Sequence, residues 1–164
     1  MIIKKGGIIM PKFKVLINVD HFQYLVDLVH QYSYERFVCL MGNVEQINGK
    51  KAIVIKEMQV FDDDDYDGVY TALCKPKKSV IQKMLQRLEK KRYSVYIEYH
   101  THPLDFPNFS STDIADEKIM WEYFHSIFPK KYYGNMVLDI NGRGEAIIRD
   151  WHDGQLKTFE LIPY

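Results

Sequence analysis

The sequence predicts an α/β fold in which helices flank a largely antiparallel central sheet. Short apolar runs bounded by turn residues indicate strands, and three longer segments with apolar residues three or four positions apart indicate helices. A chain of 164 residues can form one domain with a buried core, and 46% hydrophobic with 27% charged residues is ordinary for a folded domain. We therefore predict a single domain over residues 12–164, preceded by an N-terminal extension over residues 1–11.

The domain is predicted to begin with a strand and a helix. The apolar run Phe13–Ile17 is the strand, and Asn18 or Asp20 is positioned to cap the helix that follows. Apolar residues recur at helical spacing as far as about Tyr32, which sets the end of this helix. Its apolar face consists of Phe22, Leu25, Val26 and Val29.

A β-hairpin and an acidic run come next. The strands Arg36–Met41 and Lys51–Val60 are predicted to be joined by a turn at Asn48-Gly49. The run Asp62–Asp65 places four like charges side by side, and such charges repel one another and cannot be buried together. We therefore predict a solvated loop at this position.

The segment Lys75–Arg92 is predicted to be an amphipathic helix with a basic outer face. Its apolar stripe consists of Val80, Ile81, Met84, Leu85 and Leu88. No aromatic residue interleaves with the cations of the basic face, so it lacks the platforms on which single-stranded bases stack. Because the formal net charge of the chain is also zero, we predict no nucleic-acid partner.

The C-terminal half is predicted to supply one strand, one helix and a three-stranded antiparallel meander. Tyr93–His100 is the strand, and Ser111 to about Phe128 is the helix, with Ile114, Trp121, Phe124 and Ile127 at its apolar positions. Glycine-containing turns separate the three strands of the meander. These strands are Met136–Ile140, Glu145–Trp151 and Leu156–Ile162.

A candidate metal site lies between the last strand before this meander and the helix that follows. Side chains in a strand alternate between faces, so His100 and His102 point the same way and can bind one ion. Asp113, in the first turn of the helix, adds a carboxylate and leaves the fourth corner of a tetrahedral zinc site for water. Taken alone, Ser110 and Asp113 are typical of a helix N-cap. The combined pattern favours metal binding.

The pattern resembles the signature of the JAMM (MPN-plus, JAB domain) zinc metalloproteases, which include deubiquitinating isopeptidases and many prokaryotic relatives. The residues that carry the resemblance are His100-Thr101-His102-Pro103 and Phe109-Ser110-Ser111-Thr112-Asp113. That family also requires an upstream Glu ahead of a strand ending in Gly, and Glu35 lies seven residues before Gly42. The resemblance implies the MPN fold over most of the chain. On its own, Glu35 is more typical of a solvated surface charge.

The resemblance also implies a mechanism and partners. His100, His102 and Asp113 would hold one catalytic Zn²⁺, Glu35 would act as general base, and Ser110 would donate to the oxyanion. The substrate implied is the amide bond at the C-terminus of a ubiquitin-like modifier, cleaved for deconjugation or maturation. Ubiquitin-like conjugates, and an E1-like or E2-like protein, are the corresponding partners.

Two alternatives within the same family remain open, and one other enzyme class is disfavoured. The first is a RadC-like protein of unassigned activity, in which we do not expect a Glu at the position of Glu35. The second is a non-catalytic MPN scaffold, although such scaffolds typically lose the metal ligands. No Cys-His-His cluster for a second zinc follows Asp113, which argues against the specificity of the endosomal deubiquitinases. A zinc deaminase is disfavoured because its Pro-Cys-x-x-Cys half is missing.

The sequence also bears on the compartment. The two cysteines, Cys39 and Cys74, form no Cys-x-x-Cys pair and no disulfide framework. No apolar run of about 18 residues is present, so we predict no membrane span. Together with the absence of a secretion signal, these features predict a cytoplasmic protein.

Overall fold

A computed structural model of the protein describes residues 13–70 and 73–164. The predicted N-terminal extension, residues 1–11, lies outside the described residues. The helices are α1 (Val19–Gln31), α2 (Lys78–Lys90) and α3 (Ser111–Ile127), and a 3₁₀ turn spans Asp63–Asp65. The strands are β1 (Phe13–Ile17), β2 (Phe37–Ile47), β3 (Lys50–Val60), β4 (Tyr66–Tyr70), β5 (Leu73–Pro76), β6 (Val95–His102), β7 (Tyr132–Asp139), β8 (Gly144–Arg149) and β9 (Leu156–Pro163).

The main sheet closes into a barrel, so the predicted MPN α/β fold with helices flanking a central sheet is wrong. Its strand order is β1-β3-β2-β6-β7-β8-β9, and β9 returns to pair in parallel with β1. The sheet is also less antiparallel than predicted, because β1 pairs in parallel with β3 and β6 pairs in parallel with β7. The meander β7-β8-β9 is antiparallel, as predicted.

Closure depends on a contact between the two ends of the described chain. Phe13 is paired in register with Phe159, and Ile17 with Pro163. The alternation of apolar residues in a strand tells which face is buried, but it does not tell which distant strand lies alongside. The apolar patterns of β1 and β9 are compatible with an open sheet as well as with a closed one, and only the pairing decides.

Two apolar clusters pack on opposite faces of the strands. Val95, Ile97 and Tyr99 of β6 face the first cluster, which includes Leu25, Leu28 and Val29 of α1. Tyr96 faces the second cluster, which includes residues from α2 and α3. The period-two alternation of β6 therefore sends even-numbered side chains, His100 and His102 among them, toward the face that carries α2 and α3.

Helix α3 is packed differently from the prediction. Phe124 is buried and Trp121 is partly buried, but Ile114 and Ile127 are 58% and 45% exposed. Glu117 is buried instead and accepts two hydrogen bonds from Arg149 of β8, at 2.9 and 3.0 Å. The periodicity missed this because a carboxylate paired with a guanidinium can occupy a position that otherwise requires an apolar side chain.

Three local features refine the predicted elements. Asn18 is the N-cap of α1 and accepts from the Asp20 amide at 2.8 Å. Helix α2 begins at Lys78 rather than at the predicted Lys75, because Lys75 and Pro76 belong to β5 and Lys77 is the N-cap. Strand β2 continues past Gly42 through a register shift, and a Cβ at Gly42 would lie 2.0 Å from the Val54 carbonyl oxygen, so only glycine fits there.

Within the described ranges, no helix combines the length and the apolar character that crossing a membrane requires.

Candidate metal centre

The end of β6 presents two imidazoles to the same point. His100 and His102 are both nearly buried, at 4% and 5% exposure, and their Nε2 atoms lie 3.2 Å apart. Strand pairing fixes both backbones, since His100 is in register with Phe37 of β2 and His102 with Asp139 of β7. The two nitrogens are therefore held by rigid elements rather than by a loop.

The first turn of α3 brings a carboxylate to this point. Asp113 Oδ1 lies 3.4 Å from His100 Nε2, and Asp113 Oδ2 lies 3.6 Å from His102 Nε2. The N-cap interpretation of the same residues is also confirmed, because Ser110 Oγ accepts from the Asp113 amide at 3.1 Å. Asp113 Oδ2 in turn accepts from the Ser110 amide at 2.6 Å. This capping box holds the carboxylate in place, so the two interpretations are compatible.

Glu35 reaches the same cluster from a segment far away in sequence. Its Oε1 lies 3.7 Å from His102 Nε2, and its side chain is 18% exposed. The structure therefore places all four side chains of the predicted metal and base set at one point. We name Glu35, His100, His102 and Asp113 the metal-site cluster.

The ligand atoms lie close enough together to share one ion. Two ligand atoms at tetrahedral angles, each about 2.0–2.1 Å from zinc, lie about 3.3 Å apart. The two Nε2 atoms are separated by a similar distance, 3.2 Å, and one ligand atom from each of His100, His102 and Asp113 lies within 4.8 Å of the others. The two oxygens of Asp113 face different imidazoles, Oδ1 facing His100 and Oδ2 facing His102. Two imidazoles with one carboxylate are a known zinc donor set that leaves a position for water.

The electrostatics of the cluster match its use as a cation site. Burial raises the pKa of Asp113, but hydrogen bonds from His100, His102 and Ser110 outweigh it and hold that pKa far below its usual range. Burial lowers the pKa of His102, while Asp113, the Phe106 carbonyl and Glu35 raise it, and the net change is upward. The cluster therefore favours positive charge between the carboxylates. A divalent ion would supply that charge, and its binding would displace any proton held by an imidazolium.

Glu35 differs from Asp113 in the direction of its shift. Burial raises the pKa of Glu35, and the nearby imidazoles His100 and His102 oppose this only in part. A carboxylate whose pKa is raised toward neutrality is a better proton acceptor than an ordinary surface Glu. This is the direction that a general base requires.

Neighbouring groups orient both imidazoles. His102 Nδ1 lies 2.8 Å from the Phe106 carbonyl oxygen, which accepts its proton and leaves the Nε2 lone pair for a metal. The Phe106 ring stacks on His102 at 5.5 Å, and the Phe37 ring stacks on His100 at 5.3 Å. Neither aromatic contact was predicted from the sequence, and only the loop position of Phe106, four residues after His102, could have suggested one of them.

The β7–β8 hairpin holds the loop between His102 and Ser110. Buried Asp139 accepts from the Arg143 guanidinium, which also pairs with Asp105 of the loop. The Phe109 amide donates to Glu145 at 2.9 Å. These hairpin residues were not predicted from the sequence, because their role depends on a contact between segments about 36 residues apart.

Similarity to known proteins is found among solved structures. No family model matches the sequence, and no curated protein matches it. Among solved structures, the chain is similar to the solution structure of protein DSY2949 from Desulfitobacterium hafniense, with a TM-score of 0.46 and 9% sequence identity. The similarity covers 92% of this chain and 94% of that one.

Proposed function

We propose that this protein is a zinc-dependent metallopeptidase or isopeptidase that hydrolyses an amide bond at the C-terminus of a ubiquitin-like modifier. The observation that carries the proposal is the metal-site cluster, in which ligand atoms of two imidazoles and a carboxylate lie within 4.8 Å of one another beside a second carboxylate. The proposal does not depend on the MPN fold. It depends on the local geometry of four residues and on the motif that they share with JAMM proteases.

His100, His102 and Asp113 would hold the zinc ion. Zinc bound there would supply Lewis acidity and lower the pKa of a water molecule toward 7. The capping box of α3 and the Phe106 carbonyl keep the ligands in place, so little reorganisation is needed on binding. The buried positions of both imidazoles limit competition from bulk water for the ligand atoms.

Glu35 would serve as the general base. Its carboxylate lies beside His102 but is supplied by a separate segment, so it can face the attacking water while the other three residues face the ion. After accepting that proton, Glu35 would deliver it to the leaving nitrogen, which departs as a neutral amine. The raised pKa of Glu35 suits both the acceptance and the later donation.

Ser110 would stabilise the oxyanion of the tetrahedral intermediate. Its Oγ accepts from the Asp113 amide, and a hydroxyl that accepts through its oxygen still has a proton to donate. Ser110 is therefore held by the N-terminus of α3 while its O–H stays available. The positive end of the α3 dipole adds to the stabilisation of negative charge there.

The substrate class and the partners rest on the motif. The spelling of the His-x-His-Pro and Ser-x-x-Asp segments resembles that of JAMM isopeptidases, so we propose ubiquitin-like conjugates or precursors as substrates, with an E1-like or E2-like protein as a functional partner. We also propose a cytoplasmic location, which is supported by the absence of a cysteine framework in the sequence.

The test combines metal analysis with hydrolysis of defined probes. Purified protein is assayed for zinc and for release of aminocoumarin from ubiquitin carrying a C-terminal coumarin amide and from a set of short peptide coumarin amides. We expect about one zinc per chain and turnover that a chelator abolishes and zinc restores. Stoichiometric zinc without turnover of any probe would favour the RadC-like alternative, and protein without zinc would favour the scaffold.

A further inference from the structure

The proposed base is carried by a segment that lacks regular structure of its own. Glu35 lies between the end of α1 and the start of β2, in residues outside any helix or strand. A catalytic group displaced by about 1 Å can cost about a hundredfold in rate, so something else must hold this carboxylate. Its neighbour in sequence, Arg36, makes contacts that can hold this segment in place.

The backbone of Arg36 is clamped by Thr101. The Arg36 amide donates to Thr101 Oγ1 at 2.9 Å, and the Thr101 amide donates to the Arg36 carbonyl oxygen at 3.0 Å. Thr101 is 1% exposed and lies between His100 and His102 in β6. Strand alternation points its side chain to the face opposite the two imidazoles. The residue next to the base is thus bonded to the residue between the ligands.

The side chain of Arg36 is buried and enclosed. Its guanidinium lies 4.4 Å from the ring centroid of Tyr32 and 4.7 Å from that of Tyr66, and it donates to the Phe61 carbonyl oxygen at 2.7 Å. It also pairs with Asp63 at 2.5 Å, although the Asp63 side chain is 70% exposed. Because a buried cation requires a counter-charge, this pair connects the 3₁₀ turn Asp63–Asp65, which we name the acidic turn, to the segment that carries Glu35.

We propose that Thr101 and Arg36 are positioning residues for Glu35, and that Asp63 of the acidic turn belongs to the same device. This inference rests on the proposed function, since it assigns the device to the base of that reaction. It also gives the run Asp62–Asp65 a role beyond solvation: one of its four carboxylates closes the enclosure around Arg36. These three residues act through the position of the Glu35 carboxylate.

The first test removes the acceptor on Thr101. In Thr101→Val the side-chain shape is kept and the Arg36 amide loses its partner, so we expect kcat to fall about 10–100-fold. KM for the ubiquitin coumarin amide and the zinc content should stay within about threefold of wild type, because neither ligands nor substrate contacts change. Thr101→Ser restores the hydroxyl and should recover most of the rate. Wild-type kcat in Thr101→Val would overturn the inference.

A double-mutant comparison separates positioning from general damage. If Thr101 acts only through Glu35, Thr101→Val should change the residual rate of Glu35→Gln by less than about twofold. An equal loss of rate in both backgrounds would mean that Thr101 supports the site by another route. That result would refute the positioning role even if the single variant is slow.

A matched pair on the acidic turn remains informative if the Thr101 variants do not fold. Asp63→Asn removes the charge that pairs with Arg36. Asp64→Asn makes the same change at an exposed neighbour, which accepts a hydrogen bond from Lys77 through its backbone carbonyl and not through its carboxylate. We expect kcat to fall about 3–10-fold in the first variant and to be unchanged in the second. Equal kcat in the two variants would contradict the proposal.

Hydrogen exchange tests the same pair without turnover. Amides of residues 32–37 should exchange faster in Asp63→Asn than in Asp64→Asn, because the enclosure of Arg36 is opened only in the former. Equal exchange would contradict the positioning device. If the wild type cleaves no probe, the proposed function fails, while this exchange comparison still decides whether the acidic turn holds the segment.

Discussion

Two groups of carboxylates in this protein are neutralised in different ways. Glu117 and Asp150 are buried and paired with cations of the chain: Glu117 with Arg149, and Asp150 with Lys157 at 2.6 Å. In the metal-site cluster, the partly buried Glu35 and Asp113 lie beside the two imidazoles, and within the described residues no Lys or Arg forms an ion pair with either carboxylate. The first group is complete as it stands, whereas the second has the donors of a cation site without a cation from the chain.

This difference separates structural charges from charges available for chemistry. Removing the cation from a buried carboxylate that is paired within the chain leaves an uncompensated buried charge and destabilises the fold. If the proposed function is correct, removing a member of the metal-site cluster should mainly change metal binding or hydrolysis, because these side chains would bind an ion rather than stabilise the fold. The following experiments test this contrast, from the largest expected effect to the smallest.

The largest effects are expected on hydrolysis. His102→Ala should lose both stoichiometric zinc and turnover, because it removes a ligand. Glu35→Gln should keep zinc while kcat falls about 10²–10⁴-fold, because it removes only the base. Metal analysis and coumarin release on the same preparations check both variants. Wild-type turnover in Glu35→Gln would show that the base is another group.

The largest effect on stability is expected at the buried pair on α3. Arg149→Met leaves the Glu117 carboxylate buried without its partner, and the free energy of unfolding should fall by about 3–5 kcal/mol. Denaturant titration measures it. The double variant Arg149→Met with Glu117→Met should recover much of that loss, because no uncompensated charge is left. If Arg149→Met is as stable as wild type, the pair contributes no more to the free energy of unfolding than an exposed ion pair does.

Zinc itself should stabilise the fold through the metal-site cluster. At about 100 times its dissociation constant, zinc should raise the free energy of unfolding by about 2.7 kcal/mol. Asp113→Asn retains a side-chain oxygen for the Ser110 amide but loses the charged ligand, so most of this stabilisation should disappear. Thermal melts with zinc and with a chelator give the comparison. The same stabilisation in both proteins would locate zinc at another site.

The pH dependence of the free energy of unfolding should show the contribution of the ion pair between Asp150 and Lys157. Burial raises its pKa, but hydrogen bonds from Lys157 and His152 outweigh this and lower it from 3.8 to about 2. A depressed pKa stabilises the folded state above the unfolded value, and this contribution is lost as the pH falls from about 4 to about 2. Wild type should therefore exceed Asp150→Asn by about 2 kcal/mol at pH 7 and by much less at pH 2. Unfolding titrations at both pH values measure the two differences, and equal differences would contradict this assignment.

The smallest effect is expected at an exposed pair, which serves as the control for Arg149→Met. Lys56 and Glu45 form an ion pair at 2.7 Å, with side chains 39% and 40% exposed. Lys56→Met should change the free energy of unfolding by less than about 1 kcal/mol, because solvent screens the pair. A loss as large as that in Arg149→Met would mean that burial does not explain the difference between the two pairs.

The candidate site could be read from the sequence because its parts have short-range patterns. His100 and His102 face the same way through strand alternation, and Ser110 with Asp113 marks a helix start through capping chemistry. The prediction that Glu35 lies beside them depended on the resemblance of the sequence to the JAMM signature. In the structure, His102 lies within 3.2–3.7 Å of His100, Glu35 and Asp113.

The sequence by itself determined where most helices and strands lie, which side chains share a face, and which residues are candidates for metal binding, because these depend on interactions between near neighbours. The tertiary structure alone decided that β9 pairs with β1 to close the barrel, that Glu117 is buried with Arg149, and that Arg36 is enclosed against Asp63. Each of these depends on a contact between segments far apart in the chain, whose partners compete with many alternatives of similar local pattern. Local chemistry limits those alternatives, and only the packing of the whole domain selects among them.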